Sequence, residues 1–301
     1  YGIVSVMLNT VDDQHMYAKF NSDGDKKVNA GKVREFTGFT FEANSEVDTV
    51  IFEISEVATL KKFAELVATD KFYPRTEAKL VAPIDMTGVE WTPIDNFSYT
   101  FNGNNQTITG LTEPLFGTVS ANIKDLTLAN VNIASNGRLV LGAVACVLAA
   151  GDNSNISNCK VSGAITVSNP DTAIASNANL YTTVNYAGVV GTTYADVTNC
   201  VNEANITVNQ IAKSDNAVVV HPSIGGIVGY NSDGGITNCV NGNEAKTTGA
   251  IKSLDNQKDL IYIPHIGGVL GMGSDSNFNR LADNTNYGAI ELNANVEGSN
   301  A

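Results

Sequence analysis

From about residue 120 onward, apolar residues come in short strand-length runs that never settle into the 3.6-residue period of a helix. Three kinds of run recur in a fixed order. The first is Ile156-Ser157-Asn158-Cys159, written again as Val197-Thr198-Asn199-Cys200 and Ile236-Thr237-Asn238-Cys239. The second is short: Gly163-Ala164-Ile165, then Asn205-Ile206, Gly249-Ala250-Ile251 and Gly288-Ala289-Ile290. The third carries glycine: Gly142-Ala143-Val144-Ala145, Gly188-Val189-Val190-Gly191, Gly226-Ile227-Val228-Gly229 and Gly268-Val269-Leu270-Gly271, at intervals of 46, 38 and 42 residues. A unit copied at that spacing is an array of stacked repeats, because no single copy can bury its own apolar face.

Within the first run, Ile236 and Cys239 are three apart, so both point inward only if strand alternation breaks at a bend. A bend in every copy turns the chain the same way each time. Three short strands per coil, joined by bends, predict an all-β fold: a parallel β-helix, right-handed by the usual chirality of parallel crossovers. In such a stack Cys159, Cys200 and Cys239 lie one above another about 4.8 Å apart. Leu126 and Leu281 read as the same slot in flanking copies, which makes it an apolar core position holding free thiols, with Cys146 a separate small buried residue. Asn158, Asn199 and Asn238 read as a ladder of stacked amides beside it.

Upstream, Lys79 to Gly88, Trp91-Thr92-Pro93-Ile94, Phe101 to Leu111 and Leu115-Phe116-Gly117 lead into the glycine-rich and Asn-Cys copies. In this order of motifs, across about residues 55 to 297, the chain resembles the GLUG-motif β-helix proteins of bacterial cell surfaces. The resemblance implies an exported, adhesin-like and often lipid-anchored protein, and it brings no catalytic residues. Before the coils, Ser55 reads as N-cap of a helix at about 55–68 with Val57, Leu60, Phe63, Ala64 and Val67 on one face, suited to cover the open end of a solenoid. Residues 1–54 do not repeat and read as a small β module with strands at 1–8, 16–20, 35–42 and 49–54. This divides the chain into domains at 1–54 and 55–301.

Only 16% of residues are charged, the net charge is −13, and Asn, Ser, Thr and Gly supply the polar surface. That balance excludes a phosphate-backbone partner and suits an exported protein. Neither a signal peptide nor a membrane-spanning run is present, and the start at Tyr1 is read as a trimmed N-terminus. No cofactor is implied. Catalytic residues are expected to be none: the coils lack the paired aspartates of a polysaccharide hydrolase and the Arg or Lys base of a lyase, leaving such an enzyme, or an accessory glycan-binding protein, as the alternative. Asn21 to Asn29 resembles a calcium loop but has Lys26 and Lys32 where a Gly and a bidentate Glu are needed, so no metal site is expected.

Insertions at 169–186, 209–223 and 252–264 all interrupt the same place, between the second and third strands. Variable loops on one side of a solenoid are where repeat proteins bind partners. They carry Tyr181, Tyr186, His221, Tyr262 and His265 with Asp171, Asp215 and Asp255, a mix of rings and carboxylates that suits a glycan or another host-surface molecule.

Overall fold

From Thr76 onward the described residues wind through four parallel sheets, so that each complete coil contributes one strand, or a split pair, to each. In the computed structural model the described residues are 4–9, 15–20, 50–70, 72, 76–168, 184–209, 222–254, 264–274 and 280–293, with backbone alone at 4–9, 15–20, 50, 76 and 293. By its contacts the chain divides into two compact units, Tyr1–Val50 and Ile51–Ala301. In the first unit, Val4–Asn9 pairs antiparallel with His15–Phe20; the expected strand at 35–42 and the loop at 21–29 lie outside the described residues.

In the second unit, sheet I holds Val140–Gly142, Asn185–Ala187, Ser223–Gly225 and His265–Gly267. Sheet II holds Phe116–Val119, Ala145–Leu148, Val190–Thr193, Val228–Asn231 and Leu270–Gly273. Sheet III runs from Val50–Ile54 and Thr76–Leu80 through Thr100–Asn102, Asn122–Lys124, Asn155–Ser157 and Asp196–Thr198 to Ile236–Thr237 and Leu281–Ala282. Sheet IV starts at Ile84–Asp85 and Thr107–Thr109 and includes the long strands Thr127–Asn136, Lys160–Ser168 and Val201–Asn209. Its later members are split, as Val240–Asn241 with Ile251–Leu254 and Thr285–Asn286 with Ile290–Asn293. From Thr76 onward, the ladders within these sheets are parallel, which gives an all-β architecture of the parallel β-helix kind.

The single glycine-bearing strand read from the sequence is two strands in two sheets. After Asn185–Ala187 the chain bends at Gly188-Val189 and returns as Val190–Thr193. Asn185 Nδ2 donates across the reversal to Thr192 Oγ1 at 2.9 Å. Sheet I therefore lies flat against sheet II, and glycine makes the approach possible: a Cβ on Gly191 would meet Val140 Cγ1 and the Leu141 backbone, and one on Gly229 would meet the Tyr186 backbone. Val50–Ile54 belongs to sheet III, although the sequence assigned it to the N-terminal module. Ile54 is fully buried in the coil core, and Phe52 packs on Phe63 and Phe72.

Helix α1, Val57–Ala68, buries Leu60 and Phe63, and the Phe63 ring meets Phe97 and Phe101 at centroid distances of 5.2 and 5.7 Å. It thus plugs the first coils, as an amphipathic cap must. Its N-cap is Glu56 and not Ser55; the Thr59 hydroxyl accepts from the backbone N–H of Glu56 and of Ser55, each at 3.0 Å, and so fixes the start.

The bend in the Asn-Cys run is an Asn in the left-handed region: φ is 53° at Asn158 and 54° at Asn199 and Asn238. Asn tolerates that conformation better than most side chains. It lets Ile236 and Cys239 both point inward, and both are fully buried. The bend residues themselves are exposed, and the one amide bond recorded along them runs from Asn158 Nδ2 to Asp125 Oδ1, 2.8 Å. The stacked amide ladder stands elsewhere. Asn202 Nδ2 donates to Asn241 Oδ1 and Asn241 Nδ2 to Asn286 Oδ1, each at 2.8 Å, with Asn202 and Asn241 fully buried.

This ladder and the paired glycines require each other. A Cβ on Gly188, Gly226 or Gly268 would strike the amide of Asn202, Asn241 or Asn286 in the same coil. In the preceding coil the register-equivalent residues are Ala143 and Val161, and no amide has to be accommodated. The invariance of glycine inside these coils is therefore the shape of the neighbouring amide.

Cys159, Cys200 and Cys239 are free and buried and form one column with Leu126. Leu281 is not its last member: it pairs with Ile236, which puts Asn284 in the slot after Cys239. That Asn earns its place by bonding backbone, accepting from Cys239 N–H at 2.9 Å and donating to the Ile236 carbonyl at 2.8 Å. The thiols donate to carbonyls two residues back, at 3.3 Å from Cys200 to Thr198. The hydrogen bond shared with Cys159 is the largest cause holding the Cys200 thiol well above its ordinary value, and burial adds to it. The bond with Cys200 does the same for Cys239, again reinforced by burial.

Two outcomes follow for stability. Cys200→Ser should cost about 1–3 kcal/mol in chemical denaturation, since a more strongly solvated hydroxyl is then buried in a slot sized for sulfur; no change would place the column at the surface. Because folding holds the Cys200 and Cys239 thiols above their ordinary range while unfolded ones ionise near about 8.5, stability should fall as pH rises above that value. The loss should be smaller in the variant with Cys200 and Cys239 both replaced by Ala.

Candidate functional site

The corner between sheets IV and I is where the three insertions leave and re-enter the coils. Sheet IV brings their departure points into register, Ser168 beside Asn209 and Asn209 beside Leu254. Asn209 Nδ2 donates to Ser168 Oγ at 3.4 Å. Sheet I does the same for the return, with Asn185, Ser223 and His265 in one column. Each insertion thus begins and ends over the equivalent positions of its neighbour, on one side of the solenoid. One coil earlier, only Gly137-Arg138-Leu139 crosses this corner, between Asn136 and Val140.

That short crossing is a polar knot. Arg138 pairs with Glu113 at 2.9 Å, its Nη1 lies 3.7 Å from Cys146 Sγ, and its carbonyl accepts from the Tyr186 hydroxyl at 3.0 Å. Burial pushes the Cys146 thiol up, and the Arg138 charge opposes that in part. No sequence signal points to this knot, because Glu113, Arg138 and Cys146 belong to no repeated motif and meet only through stacking.

Of the residues expected to line a binding surface, Tyr181, His221, Tyr262, Asp171, Asp215 and Asp255 lie outside the described residues. Tyr186 does not line it. It is fully buried in the sheet I column Leu141, Tyr186, Ile224, Ile266, so its ring fills the core and its hydroxyl ties one coil to the previous one. His265 is partly exposed and sits in sheet I beside Ser223, its backbone N–H bonded to the Pro222 carbonyl at 2.8 Å. The column Asn185, Ser223, His265 is polar inside an otherwise apolar wall, and Asn185 and Ser223 are fully buried. Among the described residues no group of three His, Cys, Asp or Glu side chains is placed to hold a metal ion, and no helix is long and apolar enough to cross a membrane.

No family model and no curated protein matches the chain. Among solved structures it is similar to "a putative immunoglobulin A1 protease from Bacteroides ovatus", with a TM-score of 0.56 and 17% identity over 80% of this chain and 67% of that one. At that identity the likeness is one of fold.

Tyr186→Phe should lower stability by about 1 kcal/mol through loss of the bond to Arg138, and Tyr186→Ala by about 3–5 kcal/mol through the cavity it leaves. Thermal and chemical denaturation measure both. A Tyr186→Ala protein as stable as the parent would show that the ring is not a core group.

Proposed function

We propose that this chain is a non-catalytic extracellular surface protein, adhesin-like and of the GLUG-motif kind, whose right-handed β-helix presents the insertion corner to a glycan or another host-surface molecule. The observation that supports the reading is the register of sheets I and IV, which brings the points where all three insertions leave and re-enter the coils together at one corner. A stiff parallel stack holds loop roots at fixed spacing, so loops of different sequence add up to one surface instead of three separate ones. Low charge and an abundance of Asn, Ser and Thr suit recognition through hydrogen bonds and apolar sugar faces. Export to the cell surface, through an anchor attached outside this sequence, belongs to the same proposal.

A hydrolytic reading has one observation in its favour: Ser223 and His265 are register neighbours, and the similar fold bears a protease name. Against it, Ser223 is fully buried, and its strand is pressed on the glycine face of sheet II, which leaves a substrate no approach. A fluorophosphonate probe should leave Ser223 unlabelled.

The binding reading is tested on a glycan array with the parent and with Tyr181→Ala/Tyr262→Ala. Binding should be lost in the variant while its thermal midpoint stays within about a degree or two, since on this reading the two rings serve the ligand and not the core. Retention of binding by the variant would move the site off the insertions.

A further inference from the structure

The sulfurs of Cys159, Cys200 and Cys239 are each held between the same two carbonyls, one in their own coil and one in the coil before. Cys159 Sγ lies 3.3 Å from the Ser157 carbonyl and 3.9 Å from that of Ile123. Cys200 Sγ lies 3.3 Å from Thr198 and 3.8 Å from Ile156, and Cys239 Sγ lies 3.4 Å from Thr237 and 3.5 Å from Val197. Pairing keeps the flanking residues in step, Ser157 with Thr198 and Thr237 on one side, Lys160 with Val201 and Val240 on the other. Each thiol thus occupies the same point of its coil, so consecutive sulfurs form a row with one strand spacing, about 4.8 Å, between them.

That spacing has a chemical meaning. Two metal–thiolate bonds of about 2.3 Å laid end to end span about 4.6 Å. A soft cation that takes two sulfurs in line therefore fits between neighbouring coils without displacing either strand. A tetrahedral ion such as zinc does not fit, because it gathers four ligands around one point, and among the described residues no three His, Cys, Asp or Glu side chains converge in that way. Charge narrows the choice further. All three sulfurs are buried beside the aliphatic column Ile156, Val197, Ile236. A monovalent ion between two thiolates would leave a net negative charge there, whereas a divalent one leaves a neutral unit.

We propose that the thiol row is a binding site for one soft, linearly coordinated divalent cation of the mercuric kind, bridged between Cys200 and one of its two neighbours. On binding, two S–H bonds break, two sulfur–metal bonds form and two protons pass to solvent, with no change of oxidation state. Cys200 belongs to both possible bridges, so one ion excludes a second. The row is closed at its ends, since Leu126 brings no ligand and the Asn284 amide is engaged with the Cys239 N–H and the Ile236 carbonyl. The site lies within the coils, apart from the insertion corner.

The test is made in the full chain carrying Cys146→Ala, which removes the thiol outside the row. Cys146 occupies the slot that Gly117 and Gly191 hold in the adjacent coils, so a small residue suits it. Mercuric chloride is titrated into the folded protein and, separately, supplied during refolding. Calorimetry in buffers of different ionisation enthalpy should find one ion per chain and two protons released per ion, and X-ray absorption should find two sulfur neighbours. Cys159→Ala and Cys239→Ala should each keep the site. Cys200→Ala leaves sulfurs about 9.6 Å apart and should bind at least about a hundredfold more weakly. Cys200→Ser, which keeps the side-chain shape, should show the same loss, with circular dichroism confirming that each variant is folded. One proton released per ion, a shell of more than two sulfurs, or parental affinity in folded Cys200→Ala or Cys200→Ser overturns the proposal. So does a parent that takes up no ion by either route.

Discussion

Parallel stacking in register is the constraint on which everything else in this molecule depends. Successive strands lie about 4.8 Å apart, so each side chain rests on its own counterpart in the next coil, and a column must be made of residues that tolerate one another at that distance. Aliphatic columns such as Ile123, Ile156, Val197, Ile236 satisfy this by dispersion and burial. Thiols satisfy it at Cys159, Cys200 and Cys239 because sulfur is small, polarizable and content with one carbonyl partner. Asn202, Asn241 and Asn286 satisfy it by bonding both along the axis and to nearby backbone. An unpaired amide there would cost as much as several good packing contacts gain.

Columns also constrain one another across the coil. The reversal between sheets I and II brings two backbones close together at the glycine positions, so Gly191, Gly229 and Gly271 are set by the strand that lies on them. Gly188, Gly226 and Gly268 are set by the amides across the core, joined at Gly188 and Gly226 by the glycine carbonyl of the next coil. The repeated glycines of one motif thus answer to two separate demands, one steric against backbone and one steric against Asn. A change that relieves one demand leaves the other standing, which makes the motif a coupled unit and not a row of independent turns.

The array, its inward Cys slot and the bend before it were legible because each is a repeated word at near-constant spacing, and a bend that places Ile236 and Cys239 on one side follows from parity alone. What escaped were facts about facing. Asn199 and Asn202 look alike in the sequence, but the left-handed turn at Asn199 throws its amide outward while the extended strand at Asn202 turns its amide into the core. Leu281 resembled a further core slot until pairing with Ile236 fixed its register; an aliphatic residue fits either column, and only strand pairing chooses. Tyr186 looked like a loop ring since it adjoins an insertion, yet strand Asn185–Ala187 has already begun and turns it inward. The knot of Glu113, Arg138 and Cys146 joins coils through residues that never repeat, so periodicity carried no trace of it.

The same geometry explains why a fold with such a repetitive interior can support a specific surface. Stability resides in columns that run the length of the solenoid, so replacing or lengthening a connection at one corner perturbs none of them, provided its two ends return to register positions. Ser168, Asn209 and Leu254 at departure, and Asn185, Ser223 and His265 at return, are those fixed positions. Between them the chain is free to vary in length and sequence while the roots stay one strand spacing apart. Sequence variation concentrated at 169–183, 210–221 and 255–263, against near-identity in the Gly-Gly and Asn-Cys columns, is what such a division of labour produces within a single chain. A binding surface assembled this way is rigid at its base and variable at its rim, and its affinity is tuned without touching the residues that hold the coils together.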